Sequence, residues 1–159
     1  MKKLFAAAIL AVASSVALAQ APGGAKADKL WVDDIESAFK EAARSKKMLF
    51  INFTGSDWCY WCKIADKNIF AKSEWREFSR KFVCLKVDFP RANAPSQEVM
   101  AKRSELMKKF GVRGFPTFVL ADSGRTELAR FSAGRKSASE FVSEVEKAVK
   151  GLESVPSGK

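Results

Sequence analysis

The segment Met48-Leu-Phe-Ile-Asn-Phe-Thr54 constrains the fold of this chain more than any other. It is a short, nearly continuous apolar run, the pattern of a β-strand covered on both faces. A sheet built on such a strand needs helices above and below it. The neighbouring residues supply them. Asp33 and Glu36 form a capping-box-like start. Ile35, Phe39 and Ala42 follow at helical spacing, so residues 34–46 are predicted to form an amphipathic helix. After the apolar run comes a Gly55-Ser56-Asp57 turn, then a second helix on which Cys62, Ala65 and Ile69 share one face.

Further along, residues 73–80 read as a helical segment and 82–89 as a second buried strand. A polar loop over 90–96 leads into a helix over 97–110, stopped by Gly111. Residues 117–121 and 126–131 read as strands around the turn Asp122-Ser-Gly124-Arg125. A helix over 137–149 closes the domain, with Phe141, Val145 and Ala148 inward. The order α-β-α-α-β-α-β-β-α defines an α/β domain with a mixed central sheet flanked by helices. Its strands run parallel where crossover helices join them and antiparallel at the last hairpin.

At 159 residues the chain holds one ordinary domain, placed at 30–150. The first 19 residues stand apart from it. Lys2 and Lys3 form a positive n-region, residues 4–18 are an alanine-rich apolar run, and Ala17-Leu18-Ala19 is the small-x-small pattern that signal peptidase reads. A cleaved signal peptide over 1–19 and an uncleaved N-terminal anchor are the two readings, though the run is short for a membrane span. Residues 20–29, rich in Ala, Gly, Pro and Lys, read as a flexible linker, and 151–159 as a frayed tail. Export would place the mature chain in the periplasm or outside the cell, where disulfides persist.

Losing Lys2 and Lys3 with the leader lowers the net charge from +10 to +8, 26 basic against 18 acidic residues. The basic residues are interleaved with acids, and no basic run is joined to stacking aromatics. That argues against nucleic-acid binding and leaves attraction to acidic partners or anionic surfaces. Histidine is absent. The commonest general base and metal ligand is therefore missing, and chemistry falls to cysteine, carboxylate, lysine or backbone groups.

Cys59-Tyr60-Trp61-Cys62 places two thiols at the start of a helix. Unpaired N–H groups and the helix dipole stabilise a thiolate there, lowering its pKa from about 8.5. The thiolate is the attacking species in disulfide exchange. Cys59 is expected to be the exposed nucleophile and Cys62, nearly one turn on, the shielded resolving thiol. Lys63 favours a thiolate and Asp57 opposes it. With no histidine between the cysteines, nothing points to a strong oxidase. Two rival readings exist. Structural zinc needs four ligands, against three cysteines and no histidine here; a merely structural disulfide suits an exported chain. Cys84, alone on an apolar strand, reads as a small buried side chain, against a third redox thiol near Cys62 or an intermolecular bridge. Tyr60 and Trp61 either form an apolar apron for unfolded or hydrophobic substrates or cover the disulfide by packing. No cofactor is expected.

Phe53-Thr-Gly-Ser-Asp-Trp-Cys-Tyr-Trp-Cys-Lys63 resembles the active-site segment of exported bacterial thioredoxin-like proteins. Val87-Asp88-Phe89-Pro90 and Phe110-Gly-Val-Arg-Gly-Phe-Pro-Thr117 resemble their later motifs at matching separation. The resemblance spans residues 30–150 and implies a thioredoxin fold. The implied activity is thiol–disulfide exchange with exported protein substrates, and a separate redox partner. It implies a cis Phe115–Pro116 bond facing the cysteines, with Phe115 and Pro116 at the substrate backbone and Trp58 packed beside the site. The plainer alternative makes Pro116 an ordinary strand-entry proline. Thioredoxins also carry a buried carboxylate on the strand before the motif. Asn52 is its nearest equivalent here, and Cys84 stands where a partnering lysine is common. Both halves of that pair are missing, which fits the second function class: a non-catalytic binding or structural module with a permanent Cys59–Cys62 disulfide.

Overall fold

In the computed structural model, which describes residues 30–154, the apolar run becomes strand β1 (Leu49–Thr54), buried along its whole length. On one side it pairs in parallel with β2 (Val83–Asp88) and on the other antiparallel with β3 (Thr117–Ala121). β4 (Glu127–Phe131) completes the spatial order β2-β1-β3-β4, antiparallel to β3. The outer edge of β2 is met by Val32, whose N–H donates to the Cys84 carbonyl at 2.8 Å. That bridge shields an edge that would otherwise be open to pairing.

Alternation along the strands sorts the core into two layers. Leu49, Ile51 and Phe53, with Val83, Leu85 and Val87, face α1 (Ile35–Ser45) and α4 (Gln97–Lys109). Phe50, Cys84, Phe118 and Leu120 face α3 (Ser73–Phe78), α5 (Ala138–Glu153) and the helix that follows the cysteines. Phe50 anchors this second layer, fully buried with ring centroids of Trp75, Phe118 and Phe141 at 4.5, 5.9 and 6.1 Å. Truncating such a ring to alanine costs about 3–5 kcal/mol.

Three local expectations need correction. The N-cap of α1 is Asp34, not Asp33; its carboxylate accepts the Ser37 N–H at 2.8 Å. Helix α5 runs through Glu153, so residues 151–153 belong to the domain and not to a frayed tail. The reason is packing, since Leu152 lies against the second core layer. Helix 73–80 stops at Phe78 and tightens into a 3₁₀ turn, Ser79–Lys81, before β2. The predicted signal peptide and linker, and residues 155–159, lie outside the described residues. Among those described, no helix is long and apolar enough to cross a membrane.

Candidate active site

The site forms where β1 ends and the chain turns. Gly55 accepts the N–H groups of Trp58 and Cys59 on its carbonyl, at 3.2 and 2.8 Å. Two carboxylates hold this turn to the end of β2 and the loop after it. The Asp88 side chain takes the Ser56 N–H and hydroxyl at 2.9 and 2.5 Å. Asp57 accepts the N–H groups of Arg91 and Ala92 at 2.9 and 2.6 Å. Those amides, the Ala92 bond first, hold the Asp57 carboxyl below the usual carboxylate range.

Cys59 is the N-cap of α2 (Tyr60–Ala65), which continues through a π-helical turn, Asp66–Phe70. It is disulfide-bonded to Cys62, with Cα atoms 5.2 Å apart. The Cys59 sulfur also accepts the Cys62 N–H at 3.2 Å. That amide is one of the unpaired donors at the helix start, placed to stabilise a thiolate once the bond is reduced. The expected inward face is confirmed, with Cys62, Ala65 and Ile69 all buried. Cys59 is less open than expected. It retains 7% exposure against 1% for Cys62, because its side chain folds back over the first helical turn to reach its partner. The order of accessibility stands, but a freely exposed sulfur does not.

The five aromatic and proline residues singled out from sequence are linked to one another, through the Trp58–Phe115 and Tyr60–Trp61 contacts and a cavity shared by Trp61, Phe115 and Pro116. Trp58 donates its indole N–H to the Phe89 carbonyl at 2.7 Å. Phe115 packs edge-on to Trp58 at 5.8 Å and stacks on Phe89 at 5.2 Å. The Phe115–Pro116 peptide bond is cis. Tyr60 and Trp61 meet edge-to-face at 5.3 Å and remain 66% and 47% exposed. That exposure suits an apolar apron, while Cys59 and Cys62 beside them keep little exposure of their own.

Beneath the helix lies a polar layer. Asn52 and Lys86 are register partners, as are Thr54 and Asp88. Alternation puts these four on the sheet face that α2 and its π-helical turn cover. Asn52 and Thr54 are buried, and their side-chain oxygens Oδ1 and Oγ1 have no hydrogen-bond partner. Asp66 is half-buried and one turn beyond Cys62, where residues i and i+4 share a helix face, within electrostatic reach of Lys86 and Asp88. Burial holds its carboxyl above the ordinary value; Lys86 opposes that shift and Asp88 adds to it. Asp66 was not among the residues read from sequence. The available signal was a carboxylate four residues after Cys62 on the inward face of its helix.

Cys84 is buried elsewhere on β2, four residues from Asp88, roughly 13 Å along the strand. Its thiol contacts the Ser79 carbonyl at 3.8 Å, and burial pushes its pKa up to about 12. The structure makes it a packed core thiol and gives no support to a third redox group near Cys62. Among the described residues, no group of three or more Cys, Asp or Glu side chains could hold a metal ion.

A four-stranded mixed sheet between helices, with a disulfide at the start of the helix after β1, is the thioredoxin fold with its two-cysteine site. Residues 35–149 match the thioredoxin-like domain family, and the chain belongs to it. It is 32% identical over 127 residues to the disulfide bond reductase DsbH of Chlamydia pneumoniae, a match spanning 79% of this chain and 76% of that protein. The solved structure of a DsbH oxidoreductase aligns with a TM-score of 0.71 at 32% identity, covering 76% of this chain and 83% of the other. A thioredoxin from Thermus thermophilus, 21% identical, shares the fold with a TM-score of 0.57 over 75% of this chain and 85% of its own. With Cys59 and Cys62 paired at the helix start, the chain is a thiol–disulfide oxidoreductase of the Dsb type.

Proposed function

We propose that this oxidoreductase reduces disulfides in exported proteins, with Cys59 attacking and Cys62 resolving. The carrying observation is the asymmetry of the two sulfurs: Cys59 is the more accessible and already receives the Cys62 N–H. In the reduced enzyme, the Cys59 thiolate attacks one sulfur of a client disulfide, and the other client sulfur leaves as a thiolate. Cys62 then loses its proton and attacks Cys59. The Cys59–Cys62 bond forms, the second client sulfur departs, and two electrons have passed to the client. A dithiol partner of separate origin must reduce the enzyme again. The reductive direction follows the name of the Chlamydia relative and the absence of a histidine between the cysteines.

Trp58, Tyr60, Trp61, Phe115 and Pro116 are the client contacts in this reading. Asp66 is a positioning residue for the proton of Cys62, taking the part that the uncharged Asn52 cannot. Export is supported by the n-region, apolar run and Ala17-Leu18-Ala19 pattern of the leader. The folded unit spans residues 30–153.

Substitution separates the two sulfurs. Cys62→Ser should accumulate mixed disulfides with client proteins and Cys59→Ala should accumulate none; equal trapping would sink the assigned order. The low exposure of Cys59 favours one second reading, a permanent bridge in a binding module. A reduction potential below about −300 mV, the range of inert structural disulfides, would select it.

A further inference from the structure

We propose that the groove beside the disulfide selects client segments bearing an apolar side chain next to the reacting cysteine and a carboxylate beyond it. This rests on the reading of Cys59 as the attacking sulfur. The groove encloses about 180 Å³ between Trp61, Phe115, Pro116 and Ala133, with Arg135 at its rim. That is below the roughly 300–1,000 Å³ of sites built for small molecules, and suits one side chain of a polypeptide. The large apolar groups left exposed among the described residues are Trp58, Tyr60 and Trp61, all within two residues of Cys59. Exposed apolar surface gathered in one place marks partner contact. Trp61 belongs both to that patch and to the groove wall, so a bound segment covers the two together.

Charge sets the rest of the occupant's chemistry. Lys63 follows Cys62 directly, Arg113 stands two residues before Phe115, and Arg135 lines the groove; all three are exposed. Among the described residues, none of the three takes part in an ion pair. Arg91 adds a fourth cation, its guanidinium 4.2 Å over the Trp58 ring. The one carboxylate in the turn, Asp57, is occupied by the N–H groups of Arg91 and Ala92. Asp57 stays charged and lies in the field of Lys63, so four cations stand against one carboxylate and the rim is net positive. A carboxylate on the client, one or two residues beyond the groove, meets an unpaired guanidinium; a lysine there meets repulsion. The excess of basic residues, 28 against 18, attracts the same acidic segments at longer range.

The test uses the full chain with Cys62→Ser, reduced, and three peptides differing at one position. Each peptide carries Leu next to a cysteine joined by a disulfide to 2-nitro-5-thiobenzoate, and Glu, Gln or Lys beyond. The Cys59 thiolate bonds to the peptide sulfur, the coloured aromatic thiolate leaves, and its absorbance reports the rate. The Glu peptide should react about five-fold faster than the Lys peptide at low salt, a difference that closes at high salt. Replacing Leu by Ser should slow all three. Arg135→Glu should reverse the order, and the milder Arg135→Gln should flatten it. Equal rates for the three peptides, or a preference for Lys, overturn the inference while leaving the exchange reaction standing. If Cys59 fails to react even with the free aromatic disulfide, the assignment of the attacking sulfur fails, and the inference with it.

Discussion

Trp58 packs so directly on Gly55 that a Cβ placed there would stand 2.4 Å from the indole Cε2. The missing side chain at 55 is what seats the tryptophan. From that seat its N–H reaches the Phe89 carbonyl and its ring meets Phe115, tying the turn after β1 to the loops that follow β2 and precede β3. A residue without chemistry of its own thereby fixes the wall of the site.

Gly55→Ala should therefore displace Trp58. The expected cost is about 1–3 kcal/mol from overpacking and the lost hydrogen bond, read as a lower denaturant midpoint. Trp58→Phe keeps a ring but loses the N–H and should cost about 1 kcal/mol. An unchanged midpoint in Gly55→Ala would show that the indole has another place to sit.

Asp66 should set a pH dependence in both stability and exchange. Its carboxyl is held above the ordinary 3.8, chiefly by burial, with Lys86 opposing and Asp88 adding. Between the ordinary and the raised value the folded chain binds more protons than the unfolded one, so this group lowers stability as pH rises through that window. Asp66→Asn should be more stable than the parent at pH 7, and the advantage should disappear below pH 3.8, where both states are protonated. The same variant should resolve a preformed mixed disulfide at least about ten-fold more slowly, with a flattened pH profile that Asp66→Glu restores. A resolution step with the parent's pH profile would remove Asp66 from the mechanism.

Asp57 works with the opposite sign. Its carboxyl is held low by the Ala92 and Arg91 amides. What it contributes to the loop over residues 90–96 is present above the ordinary pKa and lost as pH falls through the lowered one. Hydrogen exchange at the Arg91 and Ala92 amides should accelerate in Asp57→Ala at neutral pH, and the parent should approach that behaviour in acid. Protection that survives the substitution would mean the loop is held by other contacts.

Cys84 should be silent to reagents until the fold opens. The oxidised, folded chain should show no thiol to an aromatic disulfide reagent, and one per chain after denaturation, since the other two cysteines are bonded to each other. Cys84→Ala should cost about 1–2 kcal/mol through the small cavity it leaves and should not slow client exchange. Rapid labelling of the folded chain would contradict the burial that pushes this thiol to about 12.

Much of this architecture was readable from local pattern. The run over 48–54 records burial on both faces in its composition, and the spacing of Cys62, Ala65 and Ile69 records one inward helix face. Both were found where expected. The cysteine pair at a helix start was legible for the same reason, because a turn and the residues after it are neighbours in the chain. The misplaced details are of another kind. Asp33 and Asp34 are chemically identical caps, and which one serves depends on how the chain enters α1 after Val32 is pinned beside β2. The last turn of α5 depends on Leu152 finding the core.

The primary structure alone determined the α/β class with a mixed sheet and the cysteine pair at a helix start, because periodicity, spacing and side-chain type are properties of short segments; Trp58, Phe115 and Pro116 were named only through the resemblance of whole motifs to thioredoxin-like proteins. Tertiary structure alone decided how far Cys59 is closed and that Asp66 lies within electrostatic reach of Lys86 and Asp88. It also decided that Arg135 sits at the rim of a groove whose other walls come from α2 and the turn before β3. The reason is physical: solvent exposure and electrostatic surroundings are sums over everything nearby in space, and most of what is near these groups is distant along the chain.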